Sequence, residues 1–370
     1  MDEAKEKVKG AFNAAKGVLA ANGMICNIAM GVGMTILIAA VIVLIVTMGK
    51  FSKNKNKFVE PEVTTVAMPK RNTKQLRNYH IKAAYNACAS GEFANDWVDL
   101  AALENAINNG CRWLHMEVYD IGGEPAVAVS NSVKYTSKSC YNSLPLGDVF
   151  KTIKDKAYTT SNGRDPLFLS LQVKSDNAAI LPKIAELLRN YFAERLLGNA
   201  FSYEFGGRNL GAVPLSMLTG KVVVVGDLMN PKVKESGLME YVNLGGNSAF
   251  NRVLQFTEAA YNPPSDLLEF AQKNITVCVP DLTSSASNYD SAVAFNQGIQ
   301  VVAMCFQTPD ANLALYNAKF GKYAFVEKSE GSQYKPTMVA EAPPLPPNVN
   351  YKAAVDTVMV AGIPQEISIG

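Results

Sequence analysis

The stretch NQGIQVVAMCFQTPDANLALYNAKFGKYAF, residues 296–325, reads as one strand followed by one helix. Its run VVAMCF (301–306) is apolar throughout, as a strand covered on both faces must be, and residues 310–320 behind it read as helix. Upstream the same alternation recurs. Candidate strands are HIKAA (80–84), RWLHMEVY (112–119), AVAVS (126–130), LFLSLQV (167–173), KVVVVG (221–226), VLQF (253–256) and ITVCV (275–279). Helical stretches fall between them at 97–108, 146–157, 177–197, 264–273 and 291–295. Eight strand–helix units in this span predict a closed parallel (β/α)8 barrel. An open doubly wound sheet fits the pattern alone. It lacks its usual signatures, because no Gly-rich dinucleotide loop follows the first strand and no GxxxxGK[ST] occurs.

Composition sets outer limits. A chain of 370 residues that is 48% hydrophobic and 18% charged has enough apolar material for a large core, which excludes wholesale disorder. Its 35 Lys+Arg against 33 Asp+Glu leave a net charge of +2, too little for a basic nucleic-acid coat, and no nucleic-acid partner is expected. Cysteines 26, 88, 111, 140, 278 and 305 show no CxxC spacing, which argues against a disulfide scaffold or a zinc site and suits a reducing compartment. His80 and His115 are the only histidines, so a mechanism with two imidazoles would need both.

N-terminal to the barrel, residues 17–49 carry no charge. About 20 apolar residues cross a bilayer as a helix. The segment from Ile28 to Met48 is therefore expected to span one, within a helical region 24–49. Residues 1–23 place Val8, Phe12, Ala15 and Leu19 on one face, as an amphipathic helix at a membrane surface would. Gly31, Thr35 and Ala39 recur every four residues, a stripe that permits close helix approach. Residues 50–78 read as a basic linker with Lys50, Lys53, Lys55, Lys57, Lys70, Arg71, Lys74 and Arg77. The other flank has Lys5, Lys7, Lys9 and Lys16, so the asymmetry places the barrel on the cytosolic side and the N-terminus across the membrane. That linker would attract anionic lipid. The barrel is expected over 79–327, and EAPPLPP (341–347) marks 328–370 as a proline-containing tail, open to a partner.

Several segments carry a family likeness. They are NYHIKAAYNA (78–87), NGCRWLHMEVYDIGGEP (109–125), YTSK (135–138), DVFKTIKDKAY (148–158) and DPLFLSLQ (165–172). Together they resemble the X half of eukaryotic phosphoinositide-specific phospholipase C, and VPLSMLTGKVVVVGD (213–227) resembles the last strand region of that half. VLQFTEAA (253–260), SNYD (287–290) and the stretch 296–325 resemble the Y half. The likeness implies a distorted TIM barrel with its site at the C-terminal ends of the strands. It also implies cleavage of a lipid phosphodiester by two histidines and a calcium ion, the metal held by an asparagine and several carboxylates.

Position by position, this chain departs from that pattern. The first catalytic histidine is matched by Tyr85, and the asparagine by Asn86. A tyrosine, with pKa near 10, does not replace an imidazole at neutral pH. The Glu-x-Asp pair is matched by His115 and Glu117, and the fourth-strand carboxylate by Gln172. The second histidine falls at Val129 or Asn131. Two substrate lysines are matched by Val225 and Asp227, a serine by Gln255, and no arginine follows Arg252. The resemblance therefore implies a degenerate barrel with no catalytic residue, no metal and no cofactor. Its expected role is structural or adaptor, with protein partners in a larger assembly, such as the capsid and internal membrane of a large DNA virus. The alternatives are a phosphoinositide or anionic-headgroup binder without hydrolysis, and a phosphodiesterase with an altered site built from Asn86, His115, Glu117 and Asp120.

Overall fold

A computed structural model describes residues 24–55, 74–132, 136–283, 285–336, 354–360 and 363–369, with scattered positions among 6–16 and 57–69. The proline stretch at 341–347 lies outside the described residues, as does most of the expected helix over 1–23. Within the latter, Glu6, Lys9, Gly10, Asn13, Ala14 and Lys16 have helical backbone.

Helix α1 (Met24–Lys55) includes Val32–Asn54, which is long and apolar enough to cross a membrane and whose most apolar 18-residue window has no buried residue. It does not stop at residue 49 but runs through the lysines to Lys55. Lysine is a good helix former, and a tertiary contact holds the last turn: Asn54 is buried and its Nδ2 donates to Asp96 Oδ1 at 2.7 Å.

The sheet is built from β1 (Tyr79–Ala84), β2 (Trp113–Ile121), β3 (Glu124–Ala128), β4 (Leu144–Pro145), β5 (Leu167–Lys174), β6 (Val222–Asp227), β7 (Leu244–Gly246), β8 (Asn251–Gln255), β9 (Ile275–Val279), β10 (Val301–Met304) and β11 (Phe325–Glu327). Its main path runs β7-β6-β5-β2-β1-β10-β9-β8, every neighbouring pair parallel. This is a near-closed barrel whose seam lies between β7 and β8, where no ladder forms among the described residues. The longer helices α2 (Leu100–Asn108), α3 (Leu146–Ala157), α4 (Ile180–Phe192), α5 (Leu267–Lys273) and α6 (Ala311–Phe320) alternate with the strands, as a barrel requires.

The strand inventory needs two corrections. AVAVS is not a barrel strand: β3 folds back antiparallel on β2, with Ile121 opposite Glu124. Gly122 and Gly123 fill the two-residue turn with φ of 65° and 85°, the left-handed values that a tight hairpin demands. The missing barrel strand is β7, unrecognised in sequence because it is three residues long and ends in two glycines.

The other boundaries also shift. Residues 50–78 are not a free linker, since Val66 bridges to Tyr323 and the Met68 N–H donates to Asp165 Oδ1 at 2.8 Å. Both contacts lie at the rim where strands begin. At the other end the compact barrel unit continues beyond 327 to Tyr334, whose ring receives the Arg77 guanidinium at 3.5 Å. Residues 335–370 form a separate unit containing a hairpin, β12 (Ala354–Val360) with β13 (Ile363–Ile369), where no secondary structure was expected.

Candidate functional site

The rim where the strands end carries the cluster. Side chains alternate along a strand, so Trp113, His115, Glu117 and Tyr119 share one face of β2, and Ser170, Gln172 and Lys174 share one face of β5. The ladder sets His115 opposite Ser170, Glu117 opposite Gln172, and Tyr119 opposite Lys174. Tyr85 and Asn86 follow the last residue of β1, and Asn86 has φ 42°, a left-handed value that asparagine tolerates.

These residues converge on Glu117, which is fully buried. Asn86 Nδ2 donates to its Oε1 at 3.2 Å, the Tyr119 hydroxyl donates to its Oε2 at 2.5 Å, and Lys174 Nζ lies 3.3 Å from that same oxygen. Burial pushes the Glu117 carboxyl above the usual range, opposed first by the Lys174 ammonium and then by the hydroxyl and amide bonds. Beside it, His115 stacks on Tyr85 with centroids 4.6 Å apart, and its Nδ1 accepts from the Asn86 N–H at 3.4 Å. Burial, reinforced by Lys174, pushes His115 down to about 3, so its imidazole is neutral at physiological pH. Burial also raises Tyr85 well above its ordinary value, so it keeps its proton.

The cluster opens into a cavity of about 530 Å³ lined by Tyr85, His115, Glu117, Gln172 and Lys174, with Val225, Asp227 and Gln255 across it. Five of the positions singled out in the sequence, Tyr85, Asn86, His115, Glu117 and Gln172, thus meet at one mouth, Asn86 through its bond to Glu117. Val129 and Asn131 do not meet there, and Asn131 instead accepts from Ser139. Asp120 is turned away, its oxygens taken by the Gly123 N–H and Asn177 Nδ2. Sequence reasoning missed Lys174 and Tyr119. Both lie two residues beyond a marked position on the same strand, so period-two alternation alone puts them on the same strand face as that position.

A calcium ion of the kind the resemblance implies would need six to eight oxygens at about 2.3–2.6 Å. Asn86 Oδ1 is buried without a partner and is one oxygen of the right type. The lone carboxylate beside it, Glu117, already faces an ammonium, a phenol and an amide. No group of three or more acidic, histidine or cysteine side chains suited to a metal occurs among the described residues. The donor set does not fit calcium. Lys174 Nζ, 3.3 Å from Glu117 Oε2, neutralises the charge of that carboxylate.

Two family profiles match the chain: phosphatidylinositol-specific phospholipase C, X domain, over residues 72–227, and the corresponding Y domain over 240–336. Among solved structures, PLC21 of L. pealei and PLC21 of S. officinalis each superpose with a TM-score of 0.59 at 18% identity. Each match covers 70% of this chain and 38% of the other, so this chain spans well under half the length of those proteins. At that identity the likeness is one of fold. A comparison with curated protein sequences finds no match.

Proposed function

Because the chain belongs to the phosphatidylinositol-specific phospholipase C family, we propose that it is a membrane-anchored, catalytically inactive member whose barrel serves as a structural or adaptor module. The observation that carries this reading is the Glu117–Lys174 pair, 3.3 Å apart and buried, at the mouth where the reaction would need a metal. Positioned acid–base groups each contribute about 10²–10⁴-fold, and a metal or cationic clamp stabilises phosphate charge. Here His115 is the one imidazole at the mouth, and it is held neutral and stacked. The direct test is release of water-soluble inositol phosphate by the full chain reconstituted in phosphatidylinositol vesicles with calcium. No release above background is expected. Calcium-dependent release that disappears in His115→Ala would overturn the reading.

Anchoring rests on the uncharged stretch of α1 and orientation on the flanking lysines. Added protease should digest the barrel from the cytosolic side of sealed vesicles, and full protection would reverse the topology. A second reading, a headgroup binder without hydrolysis, draws on the open cavity and the Lys174 ammonium at its wall. Saturable calorimetric binding of soluble inositol phosphates, lost in Lys174→Met, would favour it.

A further inference from the structure

The loop between β1 and α2 and the end of α1 meet at one buried carboxylate. Asp96 Oδ2 lies 2.9 Å from Lys50 Nζ and accepts the Glu92 N–H at 3.0 Å, while Oδ1 accepts Asn54 Nδ2 at 2.7 Å and the Trp97 N–H at 3.0 Å. Lys50 Nζ also donates to the Asn95 carbonyl at 3.1 Å. An aromatic row lies beside this clamp: Phe51 and Trp97 have centroids 5.2 Å apart, Trp97 and Tyr141 5.4 Å, and Tyr141 is 47% exposed.

The position of this row along the helix gives it meaning. Lys50 is the first charge after the uncharged run that ends at Gly49. At 1.5 Å per residue, Asn54 lies only about 9 Å beyond Met48. The polar layer on each side of a bilayer is roughly 5–8 Å deep, so Lys50 and Phe51, about 3–5 Å beyond Met48, fall within it and Asn54 at its outer edge. Tryptophan and tyrosine concentrate at that depth, with lysine reaching outward beside them.

We propose that Phe51, Trp97 and Tyr141 form a bilayer-contacting surface, seated in the headgroup layer of the membrane that α1 crosses and held there by the Asp96 clamp. The proposal rests on the anchor reading above. Its occupant is lipid, because the surface continues directly from the apolar span. The clamp joins helix and barrel, so the barrel is seated against the membrane instead of hanging from a free tether.

The two tryptophans make the test direct, since Trp113 is 1% exposed inside the barrel and Trp97 is half-buried between Phe51 and Tyr141 at the end of α1. The full chain would be reconstituted into phosphatidylcholine vesicles with bromine near the top of the acyl chains, and its fluorescence recorded. Brominated lipid is expected to quench the emission, and Trp97→Phe to remove the quenchable part. Asp96→Ala is expected to lose most of the lipid quenching and to gain quenching by aqueous acrylamide. The pair Lys50→Met with Asn54→Ala leaves the loop's own hydrogen bonds in place and should do the same if Asp96→Ala fails to fold. Retention of the chain in carbonate-washed vesicles with Trp97 quenched only from water would overturn the seat and leave the anchor standing. Loss of the chain on carbonate washing would overturn the anchor, and the proposal with it.

Discussion

Lys174→Met removes the ammonium 3.3 Å from Glu117 while keeping most of the side-chain volume. Glu117 retains its Tyr119 and Asn86 bonds but is left fully buried without a counter-charge. Breaking a buried pair on one side costs about 3–5 kcal/mol. Taking up a proton relieves that cost. Burial already raises the Glu117 carboxyl and the ammonium opposes the rise, so the substitution raises it further. A carboxyl whose folded pKa exceeds its unfolded value binds more protons folded than unfolded between the two, so stability falls as pH rises through that window. The deficit of Lys174→Met should therefore be small near pH 4, where the unfolded carboxyl titrates at about 4.3, and reach its full size above the raised value. Combining it with Glu117→Gln removes both charges and should return stability close to that of the parent, since neutral replacements of buried pairs are often tolerated. Urea unfolding of the full chain in detergent, followed by circular dichroism from pH 4 to pH 8, reads both effects. A deficit independent of pH, or a double variant as unstable as the two single losses added, would refute the coupling.

Asp165 offers a second pH effect: burial pushes it up to about 6, so melting temperature should fall as pH rises from about 4 to about 6, and Asp165→Asn should flatten part of that slope. An unchanged slope would exclude Asp165 as its source. Gln300→Leu should lower the denaturant midpoint, because the buried amide holds the carbonyl of Asn274 and the N–H of Thr276, and each orphaned group costs about 1–3 kcal/mol. A midpoint equal to the parent's would contradict it. Gly110 and Gly122 both have left-handed φ, at 82° and 65°, a conformation that costs an L side chain about 1–2 kcal/mol. A Cβ at Gly110 would also run into Thr65, whereas one at Gly122 meets open space, so Gly110→Ala should unfold at lower urea than Gly122→Ala. Equal midpoints would mean that the segment around Thr65 does not pack as described.

The barrel was legible because its strands are apolar runs covered on both faces, and VVVV at 222–225 or VVAM at 301–304 leaves little choice. The same criterion misread AVAVS, since composition does not say whether a buried run pairs in parallel or folds back. That decision lay in Gly122-Gly123, the turn just ahead of it. It also passed over β7, where backbone pairing with β6 does the work and side chains supply almost nothing. At the mouth, Tyr85, Asn86, His115, Glu117 and Gln172 were readable from a family pattern. Lys174 was not among those positions, and only its two-residue offset from Gln172 on the same strand points to it. The helical lysines after Gly49 and the packing of Val66 and Met68 depend on tertiary contacts that a basic linker does not advertise.

The strand order has a consequence for how the chain is made. β1 is the first strand to emerge during synthesis, yet it ends in the middle of the sheet path, between β2 and β10. Its register with β10, Ile81 against Val301, joins residues far apart in the chain. At about 5–20 residues per second, one edge of β1 stays unpaired for roughly 10–45 s of translation. Throughout that wait an α1 anchored as proposed above would tie the nascent barrel to a membrane and limit its encounters with other open edges to diffusion in two dimensions.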